Sequence, residues 1–127
     1  MLYKGILAGK SRAIFGGTVW VREGAMKTDA MQSDKNLVLS PDAEIDTKPA
    51  LYIWADDVKC GHGATAGNID MDTVFYMRSR GLDLETASRL LIYGFAAEVL
   101  ERVSVEEYRT HLEELFLSSL PTYKFEF

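Results

Sequence analysis

Cys60 and His62 stand two residues apart in Ala55-Asp-Asp-Val-Lys-Cys-Gly-His-Gly-Ala-Thr-Ala-Gly67. A thiolate and an imidazole are soft and borderline metal donors. A closed zinc site takes four such donors, and iron–sulfur clusters usually take four thiolates. The chain has 1 Cys and 2 His, and His111 falls on a different predicted element. Cys60 and His62 therefore furnish at most part of a site, with another chain or a transient cluster supplying the rest. The same pair could act as nucleophile and base, with Asp56 or Asp57 as the orienting carboxylate. The plainer reading of those two acids is a solvated turn. The plainer reading of Cys60 is inert packing. In an extended strand, residues 58, 60 and 62 share one face. Gly61-His-Gly63 and Lys48 lack the spacing of a phosphate loop, so no ATPase site is predicted.

The elements that must hold this pair change character around it. Before it, apolar residues come in short bursts: Ile6-Leu7, Ala13-Ile-Phe15, Val19-Trp-Val21, Leu37-Val-Leu39, Ile45, Leu51-Tyr-Ile53 and Val58. Gly16-Gly17, Gly24, Ser40-Pro-Asp42 and Lys48-Pro49 separate them, which reads as short strands between turns. No helical pattern lies between the bursts, so a βαβ layout is not expected. Met26 to Lys35 reads as a long polar connection. A β-solenoid and a small antiparallel sandwich both fit this spacing. A cut solenoid would leave strand edges unpaired and inviting to another chain.

After the pair the pattern is helical. Asp70 is an expected N-cap for a helix from Met71 to Arg80, closed by Gly81. Val74, Phe75 and Met77 are expected on one side of it. Asp83 is the expected cap of a second helix reaching about Val103. Its middle, Leu90-Leu-Ile-Tyr-Gly-Phe-Ala-Ala97, is apolar over two turns, whereas a surface helix carries a polar face. Ile92 or Tyr93, beside the small Gly94 and Ala96 and with Phe95, is the expected exposed subset for a partner. Ser104-Val-Glu-Glu107 reads as a capping box for a third helix ending near Ser119, before Pro121. Tyr123, Phe125 and Phe127 alternate in a tail with no clear reading.

Composition closes off several classes. A chain of 127 residues is one modest domain or part of a larger protein. A net charge of −5 argues against a general nucleic-acid or anionic-membrane surface. No apolar run approaches the ~20 residues that span a bilayer. The N-terminus lacks the apolar core of a secretory signal. A single cysteine fits a reducing cytosol.

The stretch from Ala55 to Thr65 resembles the SufB/SufD family of iron–sulfur cluster assembly proteins, on its SufD side. Lys27-Thr-Asp29, Asn36-Leu37, Ala43-Glu-Ile-Asp-Thr-Lys-Pro49, Phe75-Tyr76, Arg78-Ser-Arg-Gly81 and Gly94-Phe-Ala-Ala-Glu98 match in the same order. Together they cover residues 9–103. Gly61 stands where SufD commonly has serine. Gly63 stands where SufB-type chains usually carry glutamate, which favours SufD. Family members are much longer, and this chain matches their last part.

The resemblance implies a right-handed β-helix over residues 1–68, followed by a helical domain over residues 69–127. It implies a cytoplasmic scaffold fragment, not an enzyme, that pairs with a SufB-like subunit through the strand half. The isolated fragment is then expected to form a homodimer. Cys60 and His62 are expected at the cluster-assembly interface as partial ligands of a transient iron–sulfur cluster, with no cofactor held stably by this chain alone. A SufC-type ABC ATPase is expected to dock on the helices, at Ile92, Tyr93, Gly94, Phe95 and Ala96. Two rivals remain: a β-helix carbohydrate-active enzyme, for which Asp56-Asp57 is the one tempting acid pair, and a plain interaction module in which Cys60 only packs.

Overall fold

The computed structural model describes residues 1–120, so Pro121 and the aromatic tail of Tyr123, Phe125 and Phe127 lie outside the described residues. Five strands precede three helices: β1 Leu2–Leu7, β2 Arg12–Val21, β3 Asp29–Val38, β4 Glu44–Ile53, β5 Lys59–Gly67, α1 Met71–Ser79, α2 Leu84–Leu100 and α3 Glu106–Ser119. The chain divides into two compact units, Met1–Gly67 and Asn68–Phe127.

Strands alternate between two parallel sheets, one ordered β1-β3-β5 and the other β2-β4. The expected β-helix, or β-solenoid, is corrected here. The strands form two separate open sheets, with no closed or coiled sheet among the described residues, and three helices make the fold mixed α/β. The sandwich alternative fails as well, because every strand pairing is parallel.

The strands are also longer than the apolar bursts suggest. Gly16-Gly17 and Lys48-Pro49 lie inside β2 and β4 and pair with one another in register. Among the described residues each of these strands has a partner on one side only, which is where a strand tolerates proline. The supposed polar connection from Met26 to Lys35 largely becomes β3. Its alternation was invisible because Gln32, Asp34 and Asn36 are the buried residues.

The two sheets face each other. Tyr3 of β1 stacks on Phe15 of β2 with ring centroids 4.5 Å apart. A Cβ on Gly17 of β2 would collide with Nε2 of Gln32 on β3. Leu7, Val21, Leu37 and Ala43 supply the buried apolar part of this unit. On the outer face of β2 and β4, Trp20, Tyr52 and Trp54 form an exposed aromatic stack, with Trp20 centred 4.7 Å from Tyr52 and 5.3 Å from Trp54. Arg12 ties the far end of the same sheet, reaching Glu44 at 3.2 Å and Asp46 at 3.7 Å.

The helices are set by their ends. The Asp70 side chain accepts from the N–H groups of Asp72 and Thr73 at 3.2 and 3.3 Å and from the Thr73 hydroxyl. At the other end of α1, Leu82 N–H donates to Met77 O and Gly81 N–H to Arg78 O, with Gly81 at φ 99°. That is the paired bonding that lets glycine end a helix in left-handed backbone. Asp83 caps α2 by accepting from Thr86 N–H at 2.8 Å. α2 stops at Leu100, short of Val103. The expected capping box fails: α3 begins at Glu106, its N-cap is Val105, and no side chain caps it. Val74, Ala87, Ser88 and Ile92 are buried in this unit, with the Ser88 hydroxyl donating to Leu84 O at 2.8 Å. Phe75, expected beside Val74, is instead 74% exposed, because successive helical residues turn by roughly 100°.

Two predictions come from this architecture. Gly17→Ala is expected to destabilise the strand unit by about 1–3 kcal/mol, the usual cost of overpacking, because the new methyl meets a buried carboxamide and the Phe15 ring. A urea melt measures this. The second concerns the caps. Hydrogen bonding from Thr73 lowers the Asp70 pKa, and the Thr86 N–H lowers that of Asp83. Each folded pKa lies below its unfolded value. The stabilisation is therefore complete above the ordinary value of 3.8 and is lost as pH falls through the depressed values. Asp83→Asn, which still accepts at the cap, should flatten this acid-limb dependence in circular-dichroism melts. Asp83→Ala should lower stability at neutral pH as well.

Candidate functional site

Cys60 and His62 lie on β5, which pairs with β3 and, among the described residues, has no strand on its other side. The chain remains extended there, so the two side chains share a face, as their spacing predicts. Their Cα atoms are roughly 6.6 Å apart along the strand. Cys60 is a free, half-buried thiol, and His62 is exposed. In register, Cys60 stands beside Ala30 and His62 beside Gln32. Residues side by side in a parallel pair point the same way. The pair therefore continues the row of β3 residues that carries Gln32, Asp34 and Asn36 inside.

Gly61 lies on the opposite face. A Cβ there would approach Met31 Cε and Sδ at 3.1 and 3.2 Å, so this glycine lets Met31 cover the outer side of the strand.

A corner places β5. Lys27 and Asp57 both have left-handed backbone, with φ of 64° and 54°. Lys27 N–H donates to Asp57 O at 2.9 Å, and the two side chains form an ion pair. Next to it, Lys59 N–H donates to Thr28 O at 2.8 Å, and the Thr28 hydroxyl donates to Ala25 O at 2.7 Å. These bonds begin the β3–β5 ladder, whose first partners are Asp29 and Lys59. Sequence reasoning noted Lys27-Thr-Asp29 only as a matching piece and missed this role. Left-handed lysine has no composition signal.

The corner also bears on the chemistry. The Asp57 carboxylate is engaged by Lys27, and Asp56 sits on the exposed turn beside it. Among the described residues, no three His, Cys, Asp or Glu side chains converge as a metal group. Cys60 and His62 offer two donors toward a site that needs more.

On α2, Ile92 is only 4% exposed, so it belongs to the core of its own unit and is corrected as a surface candidate. Tyr93, Phe95 and Ala96 are half-buried, and Gly94 is exposed. Leu90, 48% exposed, lies one turn before Gly94 on the same side of the helix. The turn between α1 and α2 holds an open hollow of about 510 Å³ lined by Phe75, Arg78, Ser79, Leu82 and Asp83. The exposure of Leu90 and Phe75 was not anticipated. No helix among the described residues is long and apolar enough to cross a membrane.

Comparison with known proteins adds the following. Residues 1–95 match the family described as SUF system FeS cluster assembly, SufBD core domain. The chain is 49% identical over 105 residues to the iron–sulfur cluster assembly protein SufD of Escherichia coli, covering 83% of this chain and 25% of that protein. A SufBD-family protein of Synechocystis is 45% identical over 113 residues, covering 89% of this chain and 25% of its own length. SufD of Bacillus subtilis is 38% identical over 112 residues, covering 88% and 26%. The chain thus spans about a quarter of the length of these curated relatives.

The corner yields a prediction that separates charge from backbone. Lys27→Ala removes an exposed ion pair and is expected to cost no more than about 1 kcal/mol. Asp57→Val puts a branched side chain in left-handed backbone and should cost about 1–2 kcal/mol. Only the second is expected to loosen β5, read as faster labelling of Cys60 by a thiol reagent under native conditions.

Proposed function

We propose, from the premise that this chain belongs to the SufB/SufD family of iron–sulfur cluster assembly proteins, that it is a SufD-like scaffold piece of that machinery and not an enzyme. The observation that carries the proposal is the placement of Cys60 and His62 on one face of an edge strand. An edge strand leaves backbone donors and acceptors open to a second chain. A partner pairing there would bring its own side chains to a thiol and an imidazole that are short of ligands. The partner proposed is a SufB-like subunit, and a second copy of this chain takes its place when the chain is alone. The cluster is cargo, held transiently between chains in a reducing, cytoplasmic setting.

The helical unit is proposed to dock a SufC-type ATPase. With Ile92 buried, the surface is carried by Leu90 and Gly94, with Tyr93, Phe95 and Ala96 at its border. A large apolar side chain that becomes fully buried contributes roughly 1.5–3 kcal/mol, so one or two suffice as anchors.

Co-expression with SufB- and SufC-type proteins, followed by size-exclusion chromatography and iron and sulfide analysis, tests the assignment. Cys60→Ser and His62→Ala are each expected to lower cluster yield while the complex still assembles. Normal yield in both would remove the role of this pair. Leu90→Asp is expected to abolish ATPase binding in a calorimetric titration with little change in folding, since that site is already wet. The chain alone is expected to be a dimer by light scattering at tens of micromolar, and a clean monomer counts against strand-edge pairing.

A further inference from the structure

Gln32 is a buried polar side chain that the proposed function leaves without a role. It lies on β3, is 0% exposed, and neither its Nε2 nor its Oε1 finds a hydrogen-bond partner in the protein. Buried carboxamides are normally bonded, and an open one costs stability that an apolar residue of the same shape would not. The facing strand makes room for this head. A Cβ at Gly17 of β2 would collide with Gln32 Nε2, so a glycine stands where the carboxamide sits.

The neighbours of Gln32 on the sheet narrow what it can bond. Its in-register partner on β5 is His62, on the same face and at the roughly 4.8 Å spacing of paired strands. On the β1 side the ladder starts at Leu2 opposite Ser33, which leaves Met1 beside Gln32. A thioether accepts weakly and donates nothing. Along β3 the same-face neighbours are Ala30 and Asp34, a methyl and a carboxylate. A carboxylate can accept from Nε2 but offers no proton to Oε1. Among these neighbours His62 is the one side chain with an N–H to give. It is exposed, and exposed rings change rotamer within nanoseconds, so the imidazole can turn toward β3 without disturbing packing.

We propose that Gln32 is a positioning residue for His62. Its Oε1 accepts a ring N–H of the imidazole and thereby fixes which nitrogen faces away from β3. A metal-ligating histidine almost always donates its other ring N–H to a fixed acceptor, which sets the tautomer and the ring orientation. Gly17, Gln32 and His62 then act together across three strands: the glycine gives space, the carboxamide accepts, and the imidazole is presented at the strand edge. The purpose of this bond rests on the reading of Cys60 and His62 as partial cluster ligands. The bond itself belongs to this chain and is measured without a cluster.

The test is a long-range proton–nitrogen NMR spectrum of the full chain, which has 2 His. His62→Ala assigns the signals, and exposed His111 serves as the reference. In the wild type the His62 ring N–H is expected to exchange slowly enough to be seen. Gln32→Met keeps the length of the side chain and removes the carboxamide. It is expected to keep or raise the melting midpoint, because an unbonded polar group leaves the interior, and yet to lose the slow N–H. In the complex with SufB- and SufC-type partners it is expected to lower cluster yield by roughly tenfold. A glutamine that only fills space would give the reverse, a lower midpoint with the ring N–H unchanged. Should Gln32→Met not fold, the wild type decides alone. A slow His62 N–H with a nuclear Overhauser contact to the Gln32 carboxamide protons supports the proposal, and fast exchange or a missing contact overturns it. An N–H equally slow in Gln32→Met overturns it too, as does full cluster yield in that variant while Cys60→Ser and His62→Ala lower it. Normal yield in those last two removes the role of the pair instead, and the spectrum still judges the hydrogen bond.

Discussion

The strand unit depends on one hydrogen-bonded corner. Lys27 N–H to Asp57 O, with both residues in left-handed backbone, sets where β5 begins against β3. A parallel ladder has no freedom after its first pair, because a slip of one residue turns every side chain to the other face. With that start, Cys60 and His62 join the row that includes Gln32, and Gly61 turns out toward Met31. The chemistry-bearing pair is thus placed by backbone geometry several residues away. The ion pair of the same two side chains lies in solvent, where such pairs contribute little.

The same ladder explains what sequence could reveal and what it could not. The spacing of Cys60 and His62 was enough to put them on one face, because period two holds wherever the chain is extended. Asp70, Asp83 and Gly81 were readable as helix ends because each acts through its own local bonds. Strand lengths were not readable. Gly16-Gly17 and Pro49 look like breakers, yet they sit in strands with one open side, where a missing side chain or N–H is tolerated. β3 was hidden more thoroughly. Its inward residues are amide and carboxylate, so the alternation that identifies a half-buried strand runs with the wrong polarity. The expected solenoid rested on bursts shorter than the strands and on resemblance, and two open parallel sheets took its place.

In the helical unit the misreading was one of direction. An apolar run over two turns says that a helix is covered on more than one side, but not which side its own unit covers. Packing took Ile92 inward and left Leu90 outside. The hollow beside Phe75 follows from the tight α1–α2 turn, which Gly81 allows by adopting a φ that a residue with a side chain resists. The Ser104 box failed because α3 starts one residue later than that pattern requires.

The aromatic stack on the outer face of β2 and β4 has an optical consequence. The chain has 2 Trp, and both are in that stack. Their indole rings are 5.3 Å apart and tilted by 23°, close enough for their excited states to couple. Tryptophan emission, excited selectively over tyrosine, and the indole bands of near-ultraviolet circular dichroism are therefore signals of the strand unit. The helical unit contributes no indole. A denaturation curve followed by emission tracks the strand unit alone, and its difference from a far-ultraviolet curve measures how far the two units unfold independently.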